Sequence, residues 1–233
     1  APKGSYSYST MIEYVYDVGF ITGPDSNNFD LLNQLGAGGT DLGIPVAVGD
    51  KMMLLYGDTF SAVGSHGGLW NSNFMAINEN FDLKNGLIFS DVVVNDRGAI
   101  LPFYQGLHNQ NTLDDESDNP NLEVTKIPTG GITIGQDVYI FYMSVRVWGT
   151  PGGWAVNYNS VVKSDHLLNS FEPVVSLKWI EEEAYNFGQI YPFENPQEPN
   201  KIYFISIPGG RFGGVALFRV EKDDFENMAE YEY

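Results

Sequence analysis

The stretch GGTDLGIPVAVGDKMMLLYGDTF, Gly38–Phe60, decides how this chain is read. Two short apolar segments, Ile44–Val48 and Met52–Tyr56, flank a Gly49-Asp50 turn. Apolar runs on either side of such a dipeptide predict a β-hairpin. An aspartate lies just outside each end, Asp41 ahead of the first strand and Asp58 behind the second. Antiparallel pairing sets those ends side by side, so two carboxylates distant in sequence become neighbours at one rim of a sheet. Such a pair is a candidate acid/base couple.

Outward from the hairpin the same plan recurs. GGITIGQDVYIFYMSVR (residues 130–146) again reads as a short strand, a turn and an apolar strand with a polar end. YPFENPQEPNKIYFISIPGGR (residues 191–211) is a third version. The apolar strands align as MMLLYGD, VYIFYMS and KIYFISI, and a Gly-Gly pair and a further strand follow each: Gly67-Gly68, Gly152-Gly153 and Gly213-Gly214. A recurring unit of several short strands is the pattern of a β-propeller blade. The alternative, a β-sandwich with long loops, does not call for a threefold recurrence. Asp58, the Ser144–Trp148 stretch and Arg211 hold the equivalent place in the three units, so they are expected to converge on one central funnel.

Between and around the units the signals are weaker. Met11–Thr22 reads as a strand, and Gly23–Gly36 as a polar loop with a short apolar patch from Phe29 to Leu35. Leu69–Ile77 alternates as a third strand, and Leu87–Val94 and Ala99–Tyr104 are modest strand candidates. The acidic run LDDESDNPN (residues 113–121) lacks the ligand spacing and central glycine of an EF-hand loop, so it reads as a solvated surface loop.

Composition narrows the function. The 233 residues include 15 Phe, 14 Tyr and 26 Gly, which favour strands and turns over helices. A net charge of −18 with only 12 Lys and Arg argues against nucleic acid and anionic membrane surfaces as partners, because both need clustered cations. With no cysteine, disulfides, thiolate nucleophiles and Cys-ligated zinc are excluded. His66, His108 and His166 show no ligand spacing; His66, in a glycine-rich loop, can reach the funnel but reads first as a surface residue. No metal or cofactor is expected. The absence of cysteine together with abundant Asn, Gly, Tyr and acid suggests a secreted bacterial protein.

Several motifs in order, GTDLGIPV, LLYGDTF, LWNSNFMAI, IPTGGITIG, YMSVRVWGTPGGWAVNY and IPGGRFGGVALFRV, resemble one bacterial family long described as a domain of unknown function. Its characterised members include endo-D-arabinanases with a five-bladed β-propeller fold. The resemblance runs from about Val15 to Tyr231, with the acidic run as an insertion. It implies a glycoside hydrolase of the cell envelope acting on D-arabinan or a related polysaccharide. It also implies two catalytic aspartates, the Asp of GTDLG and the Asp of GDTF, here Asp41 and Asp58. A five-bladed ring needs more than three units, so a further segment or a second chain is expected to complete it.

Glycosidic cleavage needs one protonated carboxyl and one ionised carboxylate, and their separation decides between retention and inversion. Neither aspartate is assigned to either role by the sequence. Candidate substrate contacts are Thr40, Asn73, Arg146, Trp148, Asn157, Tyr158, Gln189 and Arg211. The arginines can bind sugar hydroxyls or hold a carboxylate ionised, or else pair between blades. Trp148, Trp154 and Tyr158 can stack on a sugar face or pack within blades, and the amides can serve substrate or backbone. A non-catalytic glycan-binding or assembly module is the competing function; it does not require Asp41 and Asp58 to share a cleft.

Overall fold

The computed structural model describes residues 18–64, 66–109, 122–149 and 151–233. Three antiparallel sheets follow one another along the chain. The first contains β1 (Gly39–Val48), β2 (Lys51–Phe60), the short β3 (Trp70–Asn71), β4 (Phe74–Asn78) and the short β5 (Asp91–Val92). The second is a four-stranded meander of β6 (Thr125–Ile134), β7 (Asp137–Trp148), β8 (Trp154–Asp165) and β9 (Glu172–Ile180). The third has β10 (Gln189–Glu194), β11 (Lys201–Ile207) and β12 (Ala216–Glu221). The fold is an all-β propeller, and the three aligned apolar segments are the second strands β2, β7 and β11.

The sheets stack face to face, and this explains their patterns. On β7, Val138, Ile140 and Tyr142 pack with Val46, Met53, Leu55 and Met75 of the first sheet. The alternate residues Tyr139 and Phe141 pack with Ile190, Ile202, Phe204 and Phe218 of the third. A strand buried on both faces is apolar along most of its length, as VYIFYM of the run VYIFYMS is, and its buried Ser144 finds a partner in Glu123. On β11 the inner Ile202 and Phe204 are sealed, whereas Ile205 is 43% exposed. It lies in register between exposed Tyr191 and Leu217, so the outer face of the third sheet is open.

Hydrogen bonds join the leading strands. Thr133 Oγ1 donates to the Ala47 carbonyl (2.6 Å), and Thr129 Oγ1 donates to that of Ile190 (2.7 Å). The pair Gly130-Gly131 makes this approach possible. A Cβ on Gly130 would come within 2.7 Å of Pro192 Cδ, and one on Gly131 within 2.7 Å of Val46 Cγ2.

Several local expectations are corrected. Phe29–Gln34 is a helix, α1, with Leu32 buried under the first sheet beside Leu54, Tyr56 and Phe74. The stretch 69–77 is broken into β3 and β4 at Ser72-Asn73. Of 87–94, only Asp91–Val92 is a strand, and 99–104 contributes one isolated bridge, Ile100 to Val94. Side chains satisfy part of the backbone there: the buried Asn28 accepts from Phe89 N–H and donates to the Leu87 carbonyl, and it also donates to that of Ile21. Asp41 and Asp58 lie within the strands rather than outside them. Most of Met11–Thr22 and the whole acidic run fall outside the described residues.

Candidate active site

The site begins with an irregularity in the hairpin. Pairing of β1 with β2 is regular from Val48↔Lys51 to Ile44↔Leu55, then shifts register on both sides of Leu42. Leu42 takes a left-handed φ of 67°, which only a turn or bulge asks of a branched residue. The bulge turns the Asp41 side chain across to β2, over Gly57, where a Cβ would overlap its carboxylate. Asp58 is the next residue along, so the two carboxyls meet on one side of the sheet.

Asp58 is half-buried and held by two neutral donors from different sheets. Trp70 Nε1–H donates to Oδ1 at 2.8 Å, and Thr125 Oγ1–H donates to the same oxygen at 2.5 Å. Burial is the main cause that raises its carboxyl, to about 6; the charge of Asp41 adds to this, while Thr125, Trp70 and His66 oppose it. Asp41 keeps contact with solvent, yet enough protein surrounds it to raise its carboxyl as well, against the lowering effects of its own backbone N–H and the charge of His66. Two neighbouring acids in unequal surroundings titrate apart, as acid/base pairs do.

Two clefts meet at this pair. The larger, about 650 Å³, is lined by Asp41, Asp58, Trp148, Trp154, Gln189 and Arg211, with Ile127, Ile190 and Tyr191 among its apolar walls. The smaller, about 550 Å³, is lined by Thr40, Asp41, Asp58, Phe60, His66 and Trp148. Asp41, Asp58 and Trp148 border both.

The candidate contacts divide accordingly. Thr40, Trp148, Gln189 and Arg211 reach a cleft. Thr40 shares its hydroxyl with Thr59 (2.7 Å), and the Gln189 amide donates to the Pro208 and Gly210 carbonyls. Trp148 and Trp154 meet edge to face at 5.7 Å between centroids, with the Arg211 guanidinium 6.0 Å from the Trp154 ring. Asn73, Arg146, Asn157 and Tyr158 do not line either cleft. Asn73 is fully buried and donates to the Tyr104 and Lys126 carbonyls, so it holds backbone together. Asn157 donates to Leu122 O and Ser144 Oγ, and Tyr158 approaches Glu123. The charge of Arg146 opposes the burial that raises the Glu181 carboxyl.

Three residues of the site stood outside the candidate contacts. His66 lines the smaller cleft, in a left-handed conformation (φ 66°) with its ring 5.1 Å from Phe60. Trp70 pairs with Phe60 across β3 and β2, a pairing that the alternation of LWNSN can suggest. Thr125 comes from the next sheet and carries no local signal. Among the described residues, no group of three or more His, Asp or Glu is arranged to hold a metal ion, and no helix is long and apolar enough to cross a membrane.

Comparison with known proteins supplies the family. The model of the domain of unknown function DUF4185 matches residues 26–233, and the chain belongs to that family. No curated protein matches the sequence. Among solved structures it is similar to a xylan β-1,4-xylosidase from Bacillus halodurans C-125, with 11% identity over 81% of this chain and 30% of the other and a TM-score of 0.40. It is also similar to a protein described simply as a glycoside hydrolase, with 12% identity, 94% and 60% coverage and a TM-score of 0.41. A third is an exo-1,5-α-L-arabinanase from a bovine ruminal metagenomic library, with 10% identity, 79% and 75% coverage and a TM-score of 0.34. The chain spans less than two thirds of the length of the first two.

Proposed function

We propose that this protein is a glycoside hydrolase that cuts within a furanosidic arabinan, D-arabinan or a related cell-envelope polysaccharide, with Asp58 as general acid and Asp41 as its ionised partner. The observation that carries the reading is the carboxyl pair at the junction of two clefts, with Asp58 kept toward its protonated form by burial and by Asp41. The choice of arabinan rests on the motif resemblance, and the polymeric substrate argues for action outside the cell.

The chemistry follows from the two environments. Asp58 gives its proton to the glycosidic oxygen as the bond from that oxygen to the anomeric carbon breaks. Asp41, closer to solvent, either takes a proton from water attacking that carbon or attacks it directly. Trp148 borders both clefts and offers an apolar face for a sugar ring next to the bond being cut. A chain lying through both clefts has sugar units on each side of the acid pair, which favours internal cutting over release from an end.

The test is incubation with a panel of arabinans and other envelope glycans, following product size and the anomer first formed by NMR. Internal cutting gives a spread of oligosaccharides early in the reaction. Loss of product formation in Asp41→Asn and Asp58→Asn, with folding retained, supports the reading. If either variant retains full activity, or if no glycan is cut while the protein still binds one, the carboxyl pair is not catalytic.

A further inference from the structure

Behind Asp58, away from both clefts, lies a polar cluster that the proposed chemistry does not use. The two donors to Asp58, Trp70 and Thr125, come from separate sheets, yet one segment, 104–109, holds both. On the Trp70 side, the His108 imidazole lies flat against the indole, with ring centroids 3.7 Å apart and planes 9° from parallel. His108 is itself fixed: its Nε2 is 2.9 Å from Ser72 Oγ, which accepts the Gly106 N–H at 2.9 Å. The Gln105 amide nitrogen also approaches the ring, 3.2 Å from Nε2.

On the Thr125 side, Gly106 packs so closely that a Cβ there would come within 2.7 Å of Thr125 Cα. Flanking Thr125 are Glu123 and Lys126, both about 95% buried and paired at 2.6 Å. Glu123 also accepts from Ser144 Oγ–H (2.6 Å) and Leu107 N–H (3.1 Å). Lys126 donates to the Gln105 carbonyl (3.1 Å) and lies over the Tyr104 ring. Segment 104–109 is therefore clamped to the start of β6 at several points. Replacing a buried ion pair with apolar residues is often neutral or stabilising, so stability alone does not account for this one.

We propose that His108, anchored through Ser72 and the Glu123–Lys126 clamp, is a positioning residue for Asp58. It keeps the Trp70 indole in the plane that aims its N–H at Asp58 Oδ1 while Thr125 holds the same oxygen from the other sheet. His108 touches neither cleft; it acts through Trp70. Burial keeps its imidazole toward the neutral form, with Glu123 opposing and Lys126 assisting, so the stack is between two uncharged rings. The groups facing Asp58 are then Asp41 from β1, His66 from the loop before β3, Trp70 from β3 and Thr125 from β6.

The kinetic consequence rests on reading Asp58 as the general acid, but the position of its proton is measurable without substrate. The experiment is a pH titration of the Asp58 carboxyl by carbon NMR in the intact chain, with Asp58→Asn identifying the signal. Trp70→Phe removes the N–H, which favours the carboxylate, so its midpoint should rise by roughly one pH unit. His108→Ala should raise it in the same direction, and His108→Phe, which preserves a flat ring, should restore it. Should His108→Ala not fold, Ser72→Ala frees the ring without removing it and carries the same expectation.

An Asp58 midpoint that moves in Trp70→Phe but stays put when His108 is removed or freed overturns the proposal. So does a His108→Phe midpoint as displaced as that of His108→Ala. If the midpoints move as expected but no glycan is cut, the positioning role stands and the glycosidase reading fails. In an active enzyme, the alkaline limb of kcat/KM follows the same displacement.

Discussion

Asp58 and Glu123 are two carboxylates withdrawn from water in the same corner of the molecule, and they are served in opposite ways. Among the described residues Asp58 receives neutral donors, an indole N–H and a hydroxyl, and it borders two clefts. Glu123 has an ammonium at 2.6 Å as well as a hydroxyl and a backbone N–H, and is 4% exposed. Burial alone favours the protonated acid, whereas a cation favours the carboxylate. Asp58 is thus left without a cation and open to two clefts, whereas Glu123 is sealed against Lys126 and fastens strands together.

The largest effect expected from this contrast is on turnover. Asp58→Asn should lower kcat by about 10²- to 10⁴-fold, the range for a general acid, with KM and the unfolding midpoint at neutral pH little changed. Glu123→Ala should do the reverse. It strands Lys126 in the interior and should lower the unfolding free energy by roughly 3–5 kcal/mol in denaturant titrations. The double change Glu123→Leu with Lys126→Met should recover much of that loss. Equal damage to stability from Asp58→Asn and Glu123→Ala would erase the distinction.

A smaller effect lies in the pH dependence of stability. The Asp58 carboxyl is raised from 3.8 to about 6, so the folded state holds this proton more tightly than the unfolded chain. Its contribution is therefore fully present below about pH 4 and is lost as pH rises toward and beyond 6. The difference in unfolding free energy between the wild type and Asp58→Asn should shrink by about 3 kcal/mol across that window. A difference that is flat with pH would mean that Asp58 titrates as it does in the unfolded chain. The smallest effect concerns the cleft walls. Trp148→Ala should raise KM by roughly 3- to 10-fold, as loss of one stacked ring does, with Trp154→Ala weaker because it borders one cleft only. A Trp154→Ala effect exceeding that of Trp148→Ala would move the main sugar platform into the larger cleft.

The hairpin, the second strands and the recurrence of three sheets were legible because their causes are local: a Gly49-Asp50 turn, and apolar runs whose periodicity reports which faces are covered. Burial alternates along KIYFISI because one face of the third sheet is open, although its residues are mostly apolar on both faces, and VYIFYMS is buried throughout because the second sheet is covered on both sides. What remained hidden is held by distant partners. Helix α1 is a short apolar patch that needs the first sheet beneath it, and segment 87–89 is fastened by one buried asparagine from 59–61 residues away. The carboxyl pair was readable from the hairpin, whereas Thr125, 67 residues beyond Asp58, belongs to a different sheet. Asn73 and Asn157 looked like sugar ligands because an amide's chemistry is the same whether it faces a substrate or a buried carbonyl.

Gly57 has a consequence for descent as well as for geometry. Its missing side chain is the space into which the Asp41 carboxylate folds, so a larger residue there must push the acid out of its present place over β2. The two positions are therefore tied in inheritance: a lineage that keeps the acid in this pose favours glycine at 57, and a lineage that abandons it is released from that preference. Among kindred sequences, a filled position 57 should mark chains that have given up the aspartate at 41 and, with it, the chemistry.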